Sequence, residues 1–587
     1  MAVLLDVRIP RTLDAWVQAL SRSPIAGTRV EGWLFEGRAA RRRAEARLAA
    51  VGITARLRSA YKPLVHHFLE EVERAQLTHV TVYCPVQPNA SPRRFQLEAY
   101  PLTEMLGRAA LRFERLPASD AAPVYRVDLQ WRDGRRRTDQ VPAPNHVHVD
   151  ALGDTLLSPT AWLRVQRPGE AWQEGPHESE HQAVFRRAID WVQQHRWPEA
   201  EPFFERLDLR VELPGIAHAP ARESEWMDSR EALHEDLYFT LLELFQRRSG
   251  RPPGDRRLQP GQIVPDVRAG RGDARLRIAV GAYPPPEPTP EPALAFGDTV
   301  PLESAPSPLA PERIAAELAR VPGARFSATT REGRTVHGVH HAGHGPAVLI
   351  SGAQHANETS GVVGALRAAH QLAARGAHFA LIPLENPDGY ALHRALCAHA
   401  PRHMHHAARY TAMGDDLEYR DAPPWYERAA REQGLALSGA QLHLNLHGYP
   451  AHEWTRPFSG YVPRGFEAWM LPKGFFLILR HHAGWSEQAH ALAEHVCRRL
   501  AERPELMAFN ARQLASYNAH ASDLPFELLH GTACMISEVN RPGPPLTLIS
   551  EFPDETIHGA PFILAHDTQT AMVLAAVEAL GLISSRP

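Results

Sequence analysis

At 587 residues the chain is longer than one ordinary hydrophobic core accommodates, so several domains are expected. A composition of 44% hydrophobic and 22% charged residues is that of a folded globular protein, and a net charge of -3 provides no whole-chain field for nucleic acid or an anionic membrane. Four cysteines (Cys84, Cys397, Cys497, Cys534) stand far apart without a CxxC, which argues against both a disulfide framework and a cysteine zinc site.

The opening run "MAVLLDVRIP" is broken at Asp6 and Arg8, so no signal peptide is expected, and no stretch approaches the ~18–20 apolar residues of a membrane span. A cytoplasmic protein follows as the expectation. Residues 1–170 mix a helical pattern ("AYKPLVHHFLEEVERA") with alternating runs, among them a hairpin turning at Asp133–Gly134. Residues 171–282 repeat the mixture, with a helix at "REALHEDLYFTLLELFQRR" and strands at "QIVPDV" and "RLRIAV". These are read as one or two α/β accessory lobes, divided at 170/171. Residues 283–311 are so rich in proline that they predict an extended linker.

From 312 to 587 the pattern changes. Nearly continuous apolar runs ("AVLIS", "FALIPL", "LHLNL", "FFLILR", "ACMISEV") alternate with helical segments, which predicts an α/β domain. Its sheet is expected to be doubly wound, mixed but mostly parallel, and flanked by helices. The last helix is predicted to start at Asp567 and stop at Gly581.

In such a sheet ligands bind where strands hand over to loops. His355 and Glu358, three apart after "AVLIS", offer two metal ligands from one turn. A third would come from another strand end, where His447 competes with His443 on the same strand face. Glu538, a carboxylate in an apolar strand, is a candidate general base, with Glu551 as its rival. The histidines of "HAPRHMHHAARY" (His399, His403, His405, His406) are read as hydrogen-bonding groups rather than a second metal site.

Four segments, in this order, resemble the zinc metallocarboxypeptidases: "HANE", "ENPDGY", "LNLHGY" and "MISEV". The resemblance covers about 312–587 and implies a zinc carboxypeptidase-like fold and a peptide substrate. It implies one zinc ion held by His355, Glu358 and His447, with Glu538 as the base that takes a proton from the zinc-bound water. It also implies Arg402 as the arginine facing the oxyanion, with Arg394 as competitor, and Asp416 orienting His355. Tyr517 falls near the family's substrate-binding tyrosine. One departure concerns the Asn-Arg pair that clamps a terminal carboxylate in the family. Here Glu418 and Tyr419 hold those positions and Arg420 follows one residue late. Two other readings remain open: an N-acyl amino acid amidohydrolase resembling aspartoacylase and succinylglutamate desuccinylase, and a silent peptide-binding module.

Overall fold

A computed structural model describes residues 2–221, 225–284, 300–521 and 526–584. The centre of the proline-rich stretch, 285–299, lies outside the described residues. In the first 282 residues, three four-stranded sheets carry helices against them. The predicted hairpin is present: Val124–Trp131 pairs antiparallel with Arg136–Pro142 across Gly134, whose φ of +84° suits glycine. Strand Ala2–Ile9 does not pair within residues 1–170. It lies antiparallel to Ala274–Gly281, so the start and end of the accessory region share one sheet.

The C-terminal region is a mixed α/β fold on a nine-stranded sheet. Its strands are β1 (Ala324–Thr329), β2 (Thr335–His341), β3 (His344–Gly352), β4 (Ala377–Ile382), β5 (Leu442–Pro450), β6 (Phe476–His481), β7 (Glu527–Leu529), β8 (Thr532–Glu538) and β9 (Leu546–Glu555). Their order is β1-β2-β4-β3-β5-β9-β6-β8-β7. The central run β4-β3-β5-β9 is parallel throughout, and antiparallel pairs join it to the flanking strands on either side. Every residue of β5 is buried, because helices cover both faces. On one face Leu444 and Leu446 join Val362 and Leu366 of α1 (Ser360–Ala374). On the other, Leu349 packs with Ala430 of α3 (Arg428–Ser438). Between them in sequence, α2 (Pro387–Cys397) opens the "NPDGY" segment: the Asn386 side chain accepts from the Gly389 N–H at 2.9 Å, and Pro387 needs no partner at the first turn.

Leu444 sits at the middle of β5 with no exposed surface. Leu444→Ala is expected to lower unfolding stability by about 2–5 kcal/mol, read as a lower urea midpoint. An unchanged midpoint would place the mechanical centre of the domain elsewhere.

The last helix, α4, differs from expectation. It runs from Ala560 to Ser584, so Asp567 and Gly581 are both interior. Gly559, with φ +69°, turns the chain just before it. Asp567 pairs instead with Arg367 at 3.0 Å and with Arg503. A partly exposed tertiary ion pair, rather than a helix cap, accounts for its position.

One of the elements through which the accessory region meets the C-terminal region is a largely buried helix, Ser229–Ser249. Its carboxylates reach the C-terminal region. Glu235 meets His406 at 2.5 Å, Glu231 meets His452 at 2.8 Å, and Asp236 accepts from the N–H groups of Phe458 and Ser459. His403 contacts Asp228, the cap of that helix, at 3.1 Å. Thus His403 and His406 are engaged in docking.

Candidate metal centre and active site

Strand β3 ends at Gly352, and the loop from there into α1 carries His355 and Glu358. His447 lies toward the end of β5, the parallel neighbour of β3, so the three side chains rise from the same edge of the sheet. Nδ1 of His355 lies 2.8 Å from Oε1 of Glu358, Nδ1 of His447 lies 2.8 Å from Oε2, and the two Nδ1 atoms are 3.1 Å apart. All three residues are buried, and one donor atom of each lies within 4.8 Å of the others. Ligands ~2.0–2.2 Å from one tetrahedral zinc stand roughly 3.3 Å from one another, so this set of two imidazoles and a carboxylate fits that ion. Among the described residues it is the one such cluster. His443, the rival ligand, is turned to the Ser351 hydroxyl at 2.8 Å.

The surroundings order these donors. Glu358 also accepts from the Gly448 N–H at 3.1 Å and from Arg409 Nη1 at 2.7 Å. Burial alone would raise its pKa, but the charges of His355, Arg409 and His447 outweigh burial and hold it well below the usual range. Asp416 lies 3.4 Å from the other ring nitrogen of His355. Its own carboxyl is depressed against burial by His355, then by Arg256 and Arg409. Arg256 belongs to the accessory region and reaches Asp416 at 3.5 Å. That region therefore contributes to the electrostatics of the cluster. A cation held between His355 and His447 is offset by two buried carboxylates, an arrangement suited to a divalent ion.

Five other residues singled out by sequence lie elsewhere. Glu538 is an exposed residue at the end of β8, where its carboxylate accepts from Asn540 at 3.0 Å. It opposes His481, not β5, so the strand that carries it is separated from His447 by β6 and β9. Arg402 lies over the Trp226 ring at 4.8 Å, and Arg394 points to the Leu309 carbonyl at 3.5 Å. Arg420 is enclosed by Asp415 at 2.6 Å and Glu427 at 2.8 Å, which leaves it no reach toward a substrate. Tyr517 is buried in the accessory-facing core, 5.5 Å from the Lys473 ammonium.

Two residues stand at the cluster in their place. Glu551 on β9 is the register partner of His447, and it is partly buried. Removal from water, reinforced by the charge of Glu358, pushes its carboxyl well above the usual range. Arg409, already bonded to Glu358, is the guanidinium at the cluster. In sequence Glu551 ranks second because "MISEV" matches the resemblance better. Its signal is the apolar run "LTLIS" ending in Glu551, which is itself a buried strand. Arg409 has no local signal beyond lying seven residues past Arg402.

Residues 323–432 match the family model of zinc carboxypeptidase. The matched span holds His355, Glu358, Arg409 and Asp416, and stops short of His447 and Glu551. The resemblance to zinc metallocarboxypeptidases, drawn from the motifs, stands on this match. A search of curated proteins returned no match. Among solved structures, a metallo-carboxypeptidase from Burkholderia cenocepacia is similar at 14% identity, with 54% of this chain and 73% of that one covered and a TM-score of 0.30. A metallo-carboxypeptidase from Pseudomonas aeruginosa, in complex with (2-guanidinoethylmercapto)succinic acid, is similar at 14% identity, with coverages of 53% and 73% and a TM-score of 0.28. Thrombin activatable fibrinolysis inhibitor is similar at 11% identity, with coverages of 50% and 78% and a TM-score of 0.29.

Proposed function

We propose that residues 312–587 form a zinc-dependent carboxypeptidase that hydrolyses the C-terminal amide bond of a peptide. The convergence of His355, Glu358 and His447 within a region resembling zinc carboxypeptidase carries this reading. These three residues would hold the ion, with Asp416 fixing the ring of His355. When bound, zinc supplies Lewis-acid polarisation of a carbonyl and acidifies water. In this reading Glu551, not Glu538, is the general base. Its raised pKa suits a group that accepts a proton from water and returns it to the leaving amine. Arg409 supplies the positive charge facing the oxygen on which negative charge develops.

The accessory lobes, assigned to 1–170 and 171–282 with Ala2–Ile9 contributed to the second, hold the loops around the cluster through the Ser229–Ser249 helix. No helix among the described residues is long and apolar enough to cross a membrane, and we place the protein in the cytoplasm.

Mass spectrometry of a peptide library tests the proposal, with each peptide carrying a free or an amidated C-terminus and with or without a chelator. Chelator-sensitive loss of single residues from free ends is the expected result. No trimming by a zinc-loaded protein would overturn it and direct attention to N-acyl amino acids.

A further inference from the structure

Lys473 is a buried cation beside the candidate base. Phe476 on β6 is the register partner of Glu551 on β9, as His447 on β5 is on the other side. Directly opposed residues present their side chains on one face of a sheet, so Phe476, Glu551 and His447 stand in a row. Tyr449, two residues past His447, shares that face, and its ring centroid is 5.2 Å from that of Phe476. The turn before β6 brings the Lys473 ammonium to both rings, 5.0 Å from the centre of Tyr449 and 5.1 Å from that of Phe476. Trp469, Tyr517 and Phe526 close the enclosure at 4.7, 5.5 and 6.0 Å.

The lysine is locked in this place. Its backbone N–H donates to the Tyr449 hydroxyl at 2.9 Å, and that hydroxyl donates to the Gly474 carbonyl at 2.6 Å. Lys473 has no exposed surface, and its ammonium has no hydrogen-bond partner among the described residues. Taking an ammonium out of water without a hydrogen bond is costly, and the surrounding rings offset part of that cost. Burial still lowers the Lys473 pKa to about 7, and the charge of Glu551 opposes the fall. In turn, Arg409 and Lys473 oppose the rise that burial and Glu358 impose on Glu551. Arg409 is already bonded to Glu358 at 2.7 Å, whereas Lys473 is bonded to no carboxylate among the described residues.

We propose that Lys473 is a positioning residue for Glu551: its caged ammonium is the counter-charge that holds this carboxylate in place to accept a proton from water at the cluster. The inference rests on the carboxypeptidase reading above and adds a residue to it. Exclusion of water gives the ammonium its reach, since two charges interact several-fold more strongly in a protein interior than in bulk water. A buried charge kept for packing alone is replaced at little cost by an apolar side chain of similar volume. Methionine is such a side chain, and its thioether packs well against aromatic rings. Lys473→Met therefore separates packing from electrostatics.

Zinc-loaded wild type, Lys473→Met, Glu551→Gln and the double variant are compared on one cleavable peptide, with zinc content measured by mass spectrometry. Expected for Lys473→Met is a kcat about tenfold lower, with KM and zinc content within about twofold of wild type. In the Glu551→Gln background the same substitution should change kcat by less than about twofold, because the carboxylate it serves is gone. An equal loss in both backgrounds, or wild-type kcat in Lys473→Met, would overturn the proposal. Urea midpoints of the four proteins, read in chelator, form a second cycle that needs no activity. The double variant should unfold at a higher midpoint than the two single shifts predict by addition, since each single change leaves one buried charge without its counterpart. Additive midpoints would sink the proposal as well. If wild type cleaves no peptide, the carboxypeptidase reading fails, and the midpoints alone decide whether Lys473 is the counter-charge of Glu551.

Discussion

Glu551→Gln is expected to lower peptide hydrolysis by about 10²–10⁴-fold with the bound metal retained, and Glu538→Gln is expected to leave both activity and metal near wild type. The contrast follows from position. Glu551 is opposite His447 in the parallel β5–β9 ladder, whereas Glu538 ends a strand two places further out and faces solvent. A base must come within hydrogen-bond reach of the proton it takes, directly or through one water, and the strand ladder provides that for Glu551 alone of the two. The direction of its pKa adds to this. A carboxyl held high by burial and by Glu358 bonds readily to a proton and gives it up less readily than an ordinary carboxylate. Glutamine keeps the shape and loses the proton affinity. The measurement is kcat on a cleavable peptide beside metal content by mass spectrometry. Near-wild-type turnover in Glu551→Gln, with Glu538→Gln inactive, would reverse the assignment.

The three candidate metal-site residues are legible in the sequence because their chemistry is local. An HxxE turn after a buried strand and a histidine at the end of another are sequence features, and the parallel order of β3 and β5 brings them together. The central sheet is legible for the same reason, as its inner strands are nearly continuous apolar runs covered on both faces. What sequence does not supply is adjacency between distant strands. Glu538 and Glu551 both end apolar runs, and only the order β5-β9-β6-β8 separates them. Arg402 is the arginine the resemblance points to, yet the turn around His405 and His406 lays it over Trp226 and sets Arg409 against Glu358. Arg420 is paired with two carboxylates within seven residues of it, Asp415 and Glu427. Ion pairs of that kind depend on loop geometry, which no residue pattern encodes.

His447→Ala is expected to abolish zinc binding at micromolar concentrations while the protein remains folded. The ligand set has three members, so removing one takes away a third of the coordination and leaves two donors from a single turn, His355 and Glu358. The fold should tolerate the change. His447 contributes its backbone carbonyl to Gln569 at 2.8 Å, a bond that alanine preserves, and the side chain's partners are its fellow ligands. Zinc at a hundred times its dissociation constant stabilises a native protein by about 2.7 kcal/mol, so wild type should melt several degrees higher with zinc than with a chelator. The variant should show no such difference. Asp416→Asn serves as the graded control: it keeps all three donors but loses the charge behind His355, and metal affinity should fall about 10–100-fold instead of vanishing. A His447→Ala protein that still melts higher with zinc would mean that the ion sits elsewhere, and with it the chemistry.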